Sequence, residues 1–122
     1  MNILVCDDNP LRREMFLPLT WLGHTVVWAS NVSIARSFII ERSWDMISLD
    51  HDFRGLLDDF EQPEEITGRA LARQIAALDK HKMPALVAIH TMNKRGGDVM
   101  EQMLRDAGVN VCRKSLSNVF AR

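Results

Sequence analysis

The chain has 122 residues, 47% of them apolar and 25% charged, with a formal net charge of −1. That composition suits one folded domain with a buried core rather than a disordered segment. The near-neutral charge speaks against non-specific duplex binding, and no apolar run approaches the ~20 residues of a membrane span.

Strand-like and helix-like stretches alternate along the chain. Asn2–Cys6 (NILVC) is a short, fully apolar strand. Asn9-Pro10 offers an N-cap followed by proline at the first helical position, and a helix to about Leu22 should turn Leu11, Met15, Leu19 and Leu22 to one side. Pro18 falls inside that helix and should kink it, and Gly23 closes it. Thr25–Trp28 reads as a second strand, Ser33–Glu41 as a helix with Ile34, Phe38 and Ile39 inward, and Met46–Asp50 as a third strand. After an irregular acidic stretch, Gly68–Asp79 repeats Leu71, Ile75 and Leu78 at helical spacing. Ala85–His90 is a fourth strand, Asp98–Ala107 a helix with Met100, Met103 and Leu104 inward, and Val109–Cys112 a fifth strand. This alternation means a parallel sheet covered on both faces, a doubly wound, flavodoxin-like α/β fold, with ligands expected beyond the carboxyl ends of the strands.

Those ends carry the polar chemistry. Asp7-Asp8 follows the first strand, Asp50-His51-Asp52 the third, His90-Thr91-Met92-Asn93 the fourth, and Arg113-Lys114 the fifth. Carboxylates gathered this closely repel one another and need a cation or shared protons. Oxygen donors suit Mg²⁺ (or Mn²⁺, should a histidine join them) better than Zn²⁺. His51 and His90 are candidates for a general acid or base near neutral pH, or for metal ligands. Asn93 with Gly96-Gly97 either cradles a phosphate on backbone N–H groups or punctuates a loop. Cys6 and Cys112 lie in apolar runs and read as thiols in a reducing compartment. With no charged-then-apolar leader pattern, the cytoplasm is the expected location.

The motifs "ILVCDDNP", "ISLD", a hydroxyl after the fourth strand and a lysine after the fifth resemble a response-regulator receiver domain over nearly the whole chain. The resemblance implies strand order 2-1-3-4-5. It further implies a metal held by Asp7, Asp8, Asp50 and the backbone of Asp52, a phosphoryl group accepted by Asp50, and contacts to that group from Thr91 and Lys114. The chain departs from the pattern in His51-Asp52, the acidic insertion "FRGLLDDFEQPEEI", a Ser115 in place of the proline usual after the lysine, and a last helix reduced to "SLSNVFAR". The set "LDHDF … TG … HTMN … G" is similar to a narrower group, the cyclic-phosphate-processing receiver-like domains. That similarity implies a metal-dependent phosphohydrolase acting on a cyclic or terminal phosphate of a nucleotide or RNA end, with His51 or His90 carrying the proton and either His90 or Thr91 in the hydroxyl's place. The other expectation is a receiver phosphorylated on Asp50 by a histidine kinase, or a pseudo-receiver that binds protein. The short last helix leads us to expect a homodimer through the fifth-strand side.

Overall fold

The computed structural model describes residues 1–50, 67–91 and 93–114. Five parallel strands, β1 (Asn2–Cys6), β2 (Thr25–Ala29), β3 (Met46–Leu49), β4 (Leu86–Ile89) and β5 (Val111–Cys112), form a sheet in the order β2-β1-β3-β4-β5. The helices are α1 (Pro10–Arg13), α2 (Leu17–Trp21), α3 (Val32–Glu41), α4 (Gly68–Ala76) and α5 (Lys94–Asp106). Among the described residues, no helix is long and apolar enough to cross a membrane.

Side chains alternate across each strand, so β1 feeds two cores. Leu4 and Cys6 join Ile47, Leu49, Val87 and Ile89 under α3, α4 and α5. Ile3 and Val5 join Phe16, Leu19 and Ala88 under the α1–α2 segment.

That segment differs from the single kinked helix expected. Proline at 18 has no N–H to return to the carbonyl of Glu14, and the chain tightens into a 3₁₀ turn over Glu14–Phe16 before restarting as α2 with Pro18 in its first turn. The restart rotates the apolar stripe. Leu11, Met15 and Leu22 are exposed, while Phe16 and Leu19 face the sheet. In α3, Ile34 likewise points outward, and Val32, Ala35 and Ile39 fill the core. α5 begins at Lys94 rather than Asp98, because Asn93 caps it by accepting from the Gly96 N–H at 2.8 Å. The stretch 53–66 and the segment 115–122 lie outside the described residues.

Candidate functional site

Parallel pairing continues one residue past the strands and assembles the site. Cys6 pairs with Leu49, and Leu49 with Ile89. The next amides then donate across these two gaps and the β1–β2 gap: Asp50 to the Cys6 carbonyl (3.1 Å), His90 to Leu49 (3.0 Å) and Asp7 to Ala29 (3.1 Å). Asp7, Asp50 and His90 therefore stand side by side at the carboxyl ends of the three central strands.

One carboxylate oxygen each from Asp7, Asp8 and Asp50 lies within 4.8 Å of the others. Asp7 is fully buried, Asp50 is 4% exposed and Asp8 is half-buried. Such a cluster needs positive charge, and the protein's own Arg12 provides it. The Asn9 N–H donates to Asp7 Oδ1 at 2.9 Å, Asn9 caps α1, and one helical turn brings Arg12 back over the carboxylates. Its Nε donates to Asp7 Oδ2 at 2.6 Å, and its Nη2 to Asp7 Oδ1 at 2.9 Å and to Asp50 Oδ2 at 3.1 Å. Sequence reasoning missed Arg12. The signal was its position one turn after a capping Asn-Pro, on the side of the acidic pair.

His90 enters the same cluster. Its Nε2 lies 2.9 Å from Asp7 Oδ2 and its Nδ1 2.7 Å from Ser48 Oγ. Phe16 packs edge-on against the ring, with centroids 6.3 Å apart. Ser48 is fully buried and out of reach of any substrate, so it orients the imidazole rather than acting as a nucleophile. Ser48 was also missed, since one small polar residue in an apolar strand reads as filler. Burial alone would raise the Asp7 pKa, but hydrogen bonds from His90, Arg12 and the Asn9 amide outweigh it and hold the group at about 2. Burial, with Asp7 next door, pushes the Cys6 thiol far above the usual thiol range.

The remaining candidates sit further out. Thr91 is half-buried, and its Oγ1 accepts from the Asn93 N–H at 3.1 Å. Gly96 N–H is held by the Asn93 side chain and Gly97 N–H by the Asn93 carbonyl, so a phosphate there would have to replace Asn93. Gly97 also seats Arg113: a Cβ at Gly97 would collide with its Nη2. Arg113 pairs with Asp98 at 2.7 Å and Glu101 at 3.1 Å. Lys114 follows β5 and is exposed. His51 and Asp52 lie outside the described residues.

The donor set fits a divalent cation. Three carboxylates with no sulfur suit a hard ion such as Mg²⁺, Mn²⁺ or Ca²⁺.

A parallel sheet in this order with an acidic cluster at the ends of β1 and β3 defines a receiver domain of the response-regulator type. A response regulator of Thermotoga maritima, solved in complex with Mg²⁺–BeF, superposes with a TM-score of 0.65 at 22% identity, over 94% of this chain and 87% of that one. One from Burkholderia pseudomallei, with a phosphorylated aspartic acid, a calcium ion and citrate, gives 0.64 at 18%, over 98% of this chain and 64% of that one. In sequence, a chemotaxis protein CheY homolog of Campylobacter jejuni is 28% identical over 111 residues, covering 90% of this chain and 77% of that protein. Residues 1–106 match the cyclic-phosphate processing receiver domain, and the chain belongs to that family.

Proposed function

We propose that this chain is a phospho-accepting receiver in which Asp50 takes up a phosphoryl group from a histidine kinase or a small phosphodonor. The observation that carries the reading is the convergence of Asp7, Asp8 and Asp50 to within 4.8 Å at adjacent strand ends. A Mg²⁺ or Mn²⁺ ion held by these three, with the Asp52 carbonyl, would neutralise charge on the phosphoryl oxygens. An Asp50 oxygen forms the new bond to phosphorus while the donor's N–P or O–P bond breaks and its electron pair leaves with the donor. The Thr91 hydroxyl accepts from Asn93 and keeps its own proton to give to a phosphoryl oxygen. Lys114 would bring a positive charge to the same group. The related regulators with a phosphorylated aspartic acid and calcium, or with Mg²⁺–BeF, are in line with this chemistry.

The test is incubation with acetyl phosphate in Mg²⁺ or Mn²⁺. Covalent phosphate should appear on the native protein and be absent in Asp50→Asn. A native protein that stays unlabelled with either metal rejects the reading.

His90 favours a second reading, hydrolysis of a cyclic or terminal phosphate of a nucleotide or RNA end, in keeping with the family's description. Phospho-acceptance has no need of an imidazole fixed beside the acceptor, its side chain 7% exposed. Both ring nitrogens are engaged, so acid–base work requires His90 to give up Asp7 or Ser48. A positioned acid or base contributes roughly 10²–10⁴-fold, and His90→Gln should lose turnover of a cyclic phosphate by that factor. A native protein that labels on Asp50 and turns over no cyclic phosphate removes this second reading.

A further inference from the structure

We infer that Arg12 is a resident cation standing in the place of the divalent ion, a latch that pairs with Asp50 until metal displaces it. This rests on reading Asp7, Asp8 and Asp50 as a metal site.

The Asp7 carboxylate already accepts four hydrogen bonds, from the Asn9 N–H, twice from Arg12, and from His90. An ionised carboxylate has about four lone-pair sites, so none is left to coordinate a metal. One donor must leave for an ion to enter. The Asn9 amide is fixed in the turn that starts α1. His90 is wedged between Ser48 and Phe16. Arg12 is different: its side chain is 34% exposed, its stem is long, and α1 is a helix of four residues. It alone of the three can swing into solvent without rearranging the core, and a guanidinium beside an incoming dication is repelled outward.

Because Arg12 bridges Asp7 and Asp50, one displacement does two things. It opens Asp7 for coordination and frees Asp50 Oδ2 from a hydrogen bond that ties up an attacking lone pair. Coupling of this kind is reciprocal: whatever draws Arg12 outward tightens metal binding, and metal drives Arg12 outward.

The experiment is titration of Mg²⁺ and Mn²⁺ by calorimetry into the native protein, Arg12→Gln, Arg12→Lys and Arg13→Gln. Arg13 is exposed one residue along, so its variant controls for the loss of charge alone. Arg12→Gln should bind at least tenfold more tightly than native, Arg12→Lys should fall between them, and Arg13→Gln should match native. In the unaltered protein, the Arg12 Nε–H resonance should shift from a hydrogen-bonded to a solvent-exposed position as metal saturates. Equal affinities in native and Arg12→Gln, or an Arg12 resonance unmoved at saturation, overturn the latch and leave the metal site standing. Absence of metal uptake by every variant overturns both.

Discussion

Two arginines in this protein are nearly equally exposed, at 34% for Arg12 and 31% for Arg113, and each bridges two carboxylates at about 3 Å. Their partners differ. Asp7 and Asp50 have side chains 0% and 5% exposed, whereas those of Asp98 and Glu101 are 52% and 25% exposed. The contrast teaches that the partner's burial sets what an ion pair is worth. A carboxylate in water loses little when its cation is removed, because water replaces it. A buried carboxylate left behind keeps its full desolvation cost.

The largest expected effect follows from removing Arg12. Breaking a buried pair costs about 3–5 kcal/mol, and solvent reaching the exposed third of this guanidinium should bring that to about 2–4. In metal-free buffer the urea midpoint of Arg12→Gln should fall accordingly at unchanged slope, and saturating Mg²⁺ should restore much of it. A midpoint within error of native would mean that the buried partner confers nothing.

Acid should pick out the same region next. Asp7 sits at about 2, against an ordinary value of 3.8. A depressed carboxyl contributes stability that is present above its unfolded value and lost as pH falls through its folded value, here between about pH 4 and 2. The amount is about 2 kcal/mol, since each tenfold change in proton affinity is worth ~1.4 kcal/mol. An Asp7→Asn protein should lack that acid-sensitive component in urea midpoints taken through this window. An unchanged pH slope would assign the sensitivity elsewhere.

The smallest effects belong to the other arginine. Arg113→Gln should leave the urea midpoint within error. Gly97→Ala pushes the guanidinium of Arg113, whose exposed pairs with Asp98 and Glu101 can shift with it, and the Thr91 methyl, and alanine favours a helix interior by up to ~1 kcal/mol over glycine, so stability should hold or rise slightly. A folded Gly97→Ala that no longer accepts phosphate from acetyl phosphate would show that the bare backbone at Gly97 serves the phosphoryl group and not Arg113.

The sheet was legible because strand runs and strand-end acids are local signals: Asn2–Cys6 appears with the boundaries read from sequence, and Asp7, Asp50 and His90 gather as the parallel order requires. The need for positive charge was also legible, since clustered carboxylates demand a cation. Its source was not. Arg12 reads as an ordinary surface residue until the cap at Asn9 and the turn of α1 aim it inward. Helical phase was the other casualty. A periodic stripe predicts which residues share a face only while the helix runs unbroken, and the 3₁₀ turn before Pro18 turned Leu11, Met15 and Leu22 to solvent and brought in Phe16. In α5, the cap at Asn93 set the start four residues earlier than the apolar spacing suggested, in a first turn that contains two glycines.

The buried Cys6 thiol gives the protein an internal clock. It is fully shielded and held in its unreactive protonated form, immediately before Asp7 on the central β1, while Cys112 on the edge strand is partly exposed. An alkylating reagent should consume Cys112 first and reach Cys6 only in molecules whose central sheet has opened. The slow phase of labelling then times the opening of the strand that carries the site, with no change to the sequence, and its lengthening with metal would measure how firmly an ion holds that strand in place.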